Sequence, residues 1–176
     1  VQSWEFSVNE LELAAKNVAS TLQELDLRIV FAESCTSGLI AASLGLVPGI
    51  SSHLCGSAVV YREQTKVQWL GVEQSTLDEH SAVSEPTTAE IAQGVLALTK
   101  EADLSLGITG HFGPNAPGNL DGAVFVAVYQ RAADELRQLA TRRFQLETHA
   151  RADRQREAAS RALQFLADVL QHSQSQ

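Results

Sequence analysis

The chain has 176 residues, a formal net charge of −8 and a pI near 5.0, with 44% apolar and 19% charged residues. That length and apolar content predict one domain with a real core, while the acidic balance argues against non-specific nucleic-acid binding. Cys35 and Cys55 fit no metal motif or disulfide framework, no secretory signal is visible, and no apolar run would span a bilayer. A single cytoplasmic domain that engages neither nucleic acid nor membrane is the expectation.

In chain order, Leu11, Ala14, Ala15, Val18, Leu22 and Leu25 recur at helical spacing. Ser7 and Glu10 have capping-box spacing, with Asn9 an equal candidate cap. An apolar run over 27–32 reads as a short buried strand. It stops at Glu33-Ser34-Cys35-Thr36-Ser37-Gly38, and a new periodic segment, Leu39 to Val47, follows. Strand, polar turn and helix start are thus compressed into about twenty residues. Amide N–H groups at such a start could hold an anion, or Ser34 and Thr36 could serve only as caps.

The helix from about Thr36 must end before Pro48-Gly49, and 53–61 reads as a strand bent at Gly56. A short helix over 62–70 closes at Gly71, a helical turn follows over 75–80, and Ser84-Glu85-Pro86-Thr87 announces another helix. An apolar strand over 104–108 runs into a long loop, Thr109 to Gly122. Residues 123–129 read as an interior strand, 136–144 as a strand nearer an edge, and 151–171 as an amphipathic helix. The first few residues and His172 to Gln176 read as unstructured. The pattern predicts an α/β fold: a three-layer sandwich with a mixed β-sheet and helices on both faces. The chain contains no methionine, so either an initiator has been removed or the sequence is part of a longer one.

Polar residues that the fold does not need gather at 33–38, 61–66 and 109–122, each beyond a strand end, where α/β folds place their sites. Ser34 is a nucleophile only with a base nearby, and no Ser-His-Asp spacing stands out. His80, His111 and His149 read as surface or cap residues. Lys66 is one of three lysines, and an apolar setting could make it a base; on spacing alone it is an ordinary surface residue. Cys35 is a second candidate nucleophile or a small packing residue. Tyr61 could donate a hydrogen bond, stack on a ligand or simply pack.

These residues resemble the CinA C-terminal domain family, which includes stand-alone nicotinamide mononucleotide deamidases. The resemblance runs through Ala32-Glu33-Ser34-Cys35-Thr36-Ser37-Gly38, Val47 to Ser52, Val60-Tyr61, Lys66, Leu70-Gly71-Val72, Thr76-Leu77 and His80 to Glu85. It continues through Ile108-Thr109-Gly110, Gly113-Pro114 and Gly122 to Phe125. It implies hydrolysis of the carboxamide of nicotinamide mononucleotide to nicotinate mononucleotide and ammonia, with no metal or cofactor. Ser34 and Lys66 match the family's catalytic dyad. Tyr61 matches a tyrosine beside the nucleotide, and the resemblance extends substrate binding to Thr36, Ser37, Gly38, Thr109, Gly110 and Arg151. The partner implied is a small-molecule nucleotide, and a homo-oligomer is compatible with it.

The sequence departs from the family pattern at the site. Ser37 replaces a glycine, Glu63 replaces an asparagine, His111-Phe112 stand in a loop that usually reads G-x-A-G-P, and of a G-D-R before the last helix only Arg151 survives. These departures motivate an alternative: a catalytically silent relative that binds a nucleotide or a protein partner.

Overall fold

The computed structural model describes residues 8–113, 116–133 and 135–173. Eleven main elements follow in order: α1 (Val8–Leu25), β1 (Ile29–Glu33), α2 (Leu39–Gly45), β2 (Leu54–Val59), α3 (Glu63–Leu70), α4 (Gln74–His80), α5 (Glu85–Leu98), β3 (Leu104–Gly110), β4 (Ala123–Ala132), β5 (Glu135–Gln145) and α6 (Arg151–Ser173). The five strands form one mixed sheet in the order β2-β1-β3-β4-β5. β1 runs parallel to β2 and β3, whereas β4 is antiparallel to both β3 and β5.

Alternation along β1 builds two cores. Ile29 and Phe31 join the core beneath α1, α2 and α6, while Val30 and Ala32 join the one beneath α3, α4 and α5. β3 and β4 divide in the same way, with Leu104, Leu106, Ile108, Val124, Val126 and Val128 on the first side. The expected three-layer sandwich is therefore present, and β5 lies at the edge as its polar pattern predicts.

The second face of β3 is made of small residues because α5 lies close upon it. A methyl group added at Gly107 would stand 2.7 Å from the Thr88 carbonyl oxygen and 2.9 Å from Ala92 Cβ. Ser105 donates to the Ala92 carbonyl at 2.7 Å, and the Thr109 and Thr88 hydroxyls bond at 2.7 Å. This tight seam fixes the end of β3 against α5, next to the end of β1.

Several boundaries differ from the sequence reading for local reasons. β3 continues to Gly110, so the long connection starts at 111 rather than 109. The bend expected at Gly56 is a bulge: Ile29 pairs with Leu54 and Val30 with Gly56, leaving Cys55 unpaired. Ser84 caps α5 as expected, accepting from the Thr87 amide. Ser7 and the side chain of Asn9, proposed as caps of α1, lie outside the described residues, as do Pro114 in the long loop and the final residues 174–176.

Candidate active site

At the end of β1, Glu33 completes the strand and Ser34 begins the turn. Glu33 is fully buried, and its carboxylate is surrounded by donors. One oxygen accepts from the Thr36 hydroxyl at 2.8 Å, the Gly38 amide at 2.9 Å and the Ile40 amide at 3.1 Å. The other accepts from the Ala41 amide at 3.0 Å and the Ser57 hydroxyl at 3.1 Å. The negative charge thus meets the positive end of α2, satisfies amides that have no intrahelical partner, and ties the turn to β2.

This corrects two sequence expectations. Ser34 and Thr36 do not cap α2, which starts at Leu39 after Gly38, and no side chain at that N-cap position makes the cap. The helix-start amides of Gly38, Ile40 and Ala41 are held by Glu33, so they serve neither a phosphate nor an oxyanion. The Ser37 amide donates to the Ser34 carbonyl instead.

The turn leaves Ser34 at the floor of a pocket of about 200 Å3, lined by Ser34, Cys35, Tyr61, Lys66, Gly110 and Arg151 together with Ala82, Val83, His111, Phe112 and Gly113. Lys66 reaches it from the second turn of α3. Only 1% of this lysine is exposed. Its Nζ donates to Ser34 Oγ at 3.0 Å and to the Val60 carbonyl oxygen at 2.7 Å. Burial of the amine lowers its pKa from 10.5 to about 8, with Cys35 and then the Glu63 carboxylate acting in the opposite direction. Glu63 itself is exposed and does not line the pocket.

Cys35 is buried beside the serine, and burial pushes its thiol up to about 12. It is therefore a protonated packing residue rather than a thiolate. Its sulfur also explains Gly110: a Cβ there would lie 3.0 Å from Cys35 Sγ and 2.9 Å from Val124 Cγ2. The end of β3 passes so close to the serine turn that no side chain fits.

At the mouth, Arg151 opens α6 and donates to the Tyr61 hydroxyl, with its guanidinium carbon 6.0 Å from the centre of the Phe112 ring. The loop wall is anchored from behind. Arg154, 5% exposed, donates to both oxygens of Asp121 at 2.6 and 2.9 Å and to the Thr148 carbonyl at 2.9 Å. These bonds hold the Asp121 carboxyl below its ordinary range.

The structure thus gathers Ser34, Lys66, Tyr61, Gly110 and Arg151 around one cavity. Thr36, Ser37, Gly38 and Thr109 do not line it. The Thr36 hydroxyl is committed to Glu33, its carbonyl accepts from Gln155 at 2.8 Å, and Thr109 is bonded to Thr88. These residues shape the turn and seat it on α5 and α6. Ser37 and Gly38 both take left-handed backbone, with φ of 54° and 94°. Sequence reasoning missed Glu33 as the organiser of the turn. Its signal was an acid closing an otherwise apolar strand, directly before small polar residues. It also set aside His111, which lines the wall.

In this α/β fold a Ser–Lys pair thus sits at the carboxyl end of a parallel strand, under a basic and aromatic rim. The family model for the CinA C-terminal domain matches residues 11–170, and the chain belongs to that family. A CinA-like protein from Chlorobaculum tepidum is 37% identical over 150 residues, covering 83% of this chain and 35% of that protein. Another, from Desulforapulum autotrophicum, is 44% identical over 99 residues, covering 56% and 23%. The chain therefore spans about a third or less of the length of these curated relatives. Among solved structures, the competence damage-inducible protein A from Klebsiella pneumoniae superposes with a TM-score of 0.84 at 29% identity, covering 92% of this chain and 98% of that one. The competence or damage-inducible protein from Enterobacter asburiae gives 0.82 at 30% identity, covering 91% and 98%.

Proposed function

We propose that the protein is an amidohydrolase that converts nicotinamide mononucleotide to nicotinate mononucleotide and ammonia through Ser34 and Lys66. The observation that carries this reading is the 3.0 Å contact between Lys66 Nζ and Ser34 Oγ, made by an amine whose pKa is lowered to about 8. A base poised near the working pH and within hydrogen-bond reach of the nucleophile is what covalent amide hydrolysis requires.

The chemistry follows from that pair. The neutral amine keeps one N–H on the Val60 carbonyl and turns its lone pair to the Ser34 hydroxyl. Ser34 Oγ bonds to the carboxamide carbon as its proton passes to Lys66. The C–N bond then breaks, and Lys66 returns the proton to the departing nitrogen, which leaves as ammonia. Water attacks the resulting ester as Lys66 takes its proton; the C–O bond to Ser34 then breaks, Lys66 returns that proton to Ser34 Oγ, and the product leaves as the carboxylate, its acid proton passing to solvent.

The rim supports an anionic substrate. Among the described lining residues there is no carboxylate, although the whole chain carries a net charge of −8. Arg151 is available at the mouth for a phosphate, and Tyr61 beside it offers an aromatic face. The pocket is smaller than the roughly 300–1,000 Å3 usual for drug-sized ligands, which favours entry of the amide end first. Nothing in this scheme draws on a metal or organic cofactor.

The test is ammonia release from nicotinamide mononucleotide beside a direct binding measurement. Turnover supports the reading. Binding without turnover favours a silent, nucleotide-binding relative, and the absence of both binding and turnover points to another ligand.

A further inference from the structure

The wall formed by residues 110–113 spans the pocket from its reactive end to its mouth. At one end Gly110 abuts Cys35, the residue immediately after the nucleophile, so closely that a Cβ on Gly110 would stand 3.0 Å from the sulfur. At the other end the Arg151 guanidinium stands over Phe112, and its Nη1 donates to the Gly113 carbonyl at 3.5 Å. His111 lies between these anchors and lines the same cavity.

Its backbone is held by two hydrogen bonds across the loop. The His111 amide donates to the Ala123 carbonyl at 3.0 Å, and its carbonyl accepts from the Gly122 amide at 2.9 Å. Gly122 is followed by β4 and preceded by Asp121, which the buried Arg154 clamps. The imidazole therefore starts from a fixed point on the wall rather than from a free loop.

A substrate with its amide on Ser34 and its anionic group on Arg151 must present its middle to this residue. In a nucleotide the middle is the sugar. We propose that His111 is a specificity-determining residue that hydrogen-bonds a sugar hydroxyl of the substrate. The inference rests on the amidohydrolase reading for the orientation of the ligand. Neutral imidazole suits the task because it offers one N–H donor and one ring-nitrogen acceptor, the complement a hydroxyl needs. Burial lowers the His111 pKa, with Asp121 opposing it, and this favours the neutral ring. Besides Cys35, the other polar side chains lining the cavity are Ser34 and Lys66, which the proposed reaction engages at the amide, and Tyr61 and Arg151 at the mouth.

The experiment measures dissociation constants of nicotinamide mononucleotide and of its two monodeoxyribose analogues. It uses a Ser34→Ala background, so that the ligand is not consumed, with and without His111→Ala or His111→Gln. The expected result is that removing one ribose hydroxyl weakens binding about tenfold when His111 is present. That penalty shrinks to less than about twofold in the alanine variant and returns in part with glutamine, which keeps a donor and an acceptor. An equal penalty with and without the imidazole, or no penalty at all, overturns the proposal. A protein that binds the nucleotide yet releases no ammonia with Ser34 intact refutes the amidohydrolase reading alone, because the hydroxyl penalty is still measured. Absence of binding overturns both.

Discussion

Lys66 Nζ donates to the Val60 carbonyl oxygen at 2.7 Å, and this bond aims the amine. Val60 is fully buried between the end of β2 and the start of α3, so its carbonyl is a fixed acceptor. With one direction of the amine tied down, another points at Ser34. The lysine therefore already holds the orientation that the proposed proton transfer needs.

The position of the amine makes the rate depend on pH. The neutral form is the base, so kcat/KM for ammonia release is expected to fall about tenfold per pH unit below the Lys66 pKa of about 8 and to level off above it. Lys66→Arg retains the charge but cannot supply a neutral base, and it is expected to be inactive across the range. A pH–rate profile of both proteins checks this. A flat wild-type profile through the region around 8 contradicts the assignment.

Cys35 and Ser34 are adjacent, and the proposed mechanism uses only Ser34 as the nucleophile. With its thiol pushed up to about 12, Cys35 is expected to resist alkylation by iodoacetamide at neutral pH. Cys35→Ser should retain ammonia release within about tenfold, the loss reflecting packing beside Gly110 rather than chemistry. Alkylation that tracks loss of activity and maps to Cys35 would reverse the assignment.

The carboxylate of Glu33 serves five donors, and an amide cannot replace it. Glu33→Gln turns an NH2 toward hydroxyl and amide donors that then lose their acceptor. The expected loss is on the order of 3 kcal/mol in unfolding free energy. Urea unfolding with an unchanged m-value measures it. A loss below about 1 kcal/mol would mean that water replaces the carboxylate.

Ser37 occupies left-handed backbone, with φ of 54°, and is exposed. Ser37→Gly removes the Cβ penalty while adding freedom to the unfolded chain. A net gain of about 0.5 kcal/mol is expected, read as a higher urea midpoint with ammonia release preserved. Destabilisation would show that the serine side chain holds the turn.

The fold was legible because its elements follow local rules. Leu11 to Leu25 repeat at helical spacing, Ser84 to Thr87 carry a complete helix start, and the apolar run at 123–129 marks a strand covered on both sides. The site was legible in a different way. Nothing about Lys66 on a short helix distinguishes it from a solvated lysine until the chain brings it to Ser34, 32 residues earlier. Arg151 and Tyr61 meet across 90 residues, and Glu33 acts through amides that only the folded turn directs inward. Resemblance pointed to Ser34, Lys66 and Arg151, which line one pocket, but it also drew Thr36 and Thr109 toward a ligand, whereas both hydroxyls are bonded within the scaffold. His111 was passed over because a histidine in a glycine-rich loop has no local pattern. Its setting depends on the strip between Gly110 and Gly113.

The most direct measurement is ammonia release from nicotinamide mononucleotide by the wild-type protein, Ser34→Ala and Lys66→Ala, above the Lys66 pKa of about 8. Each variant is first shown to be folded by circular dichroism. Turnover by the wild type and a loss of about 10³-fold or more in each variant are expected. A folded Lys66→Ala protein that keeps a rate within about tenfold of wild type would contradict the Ser34–Lys66 mechanism.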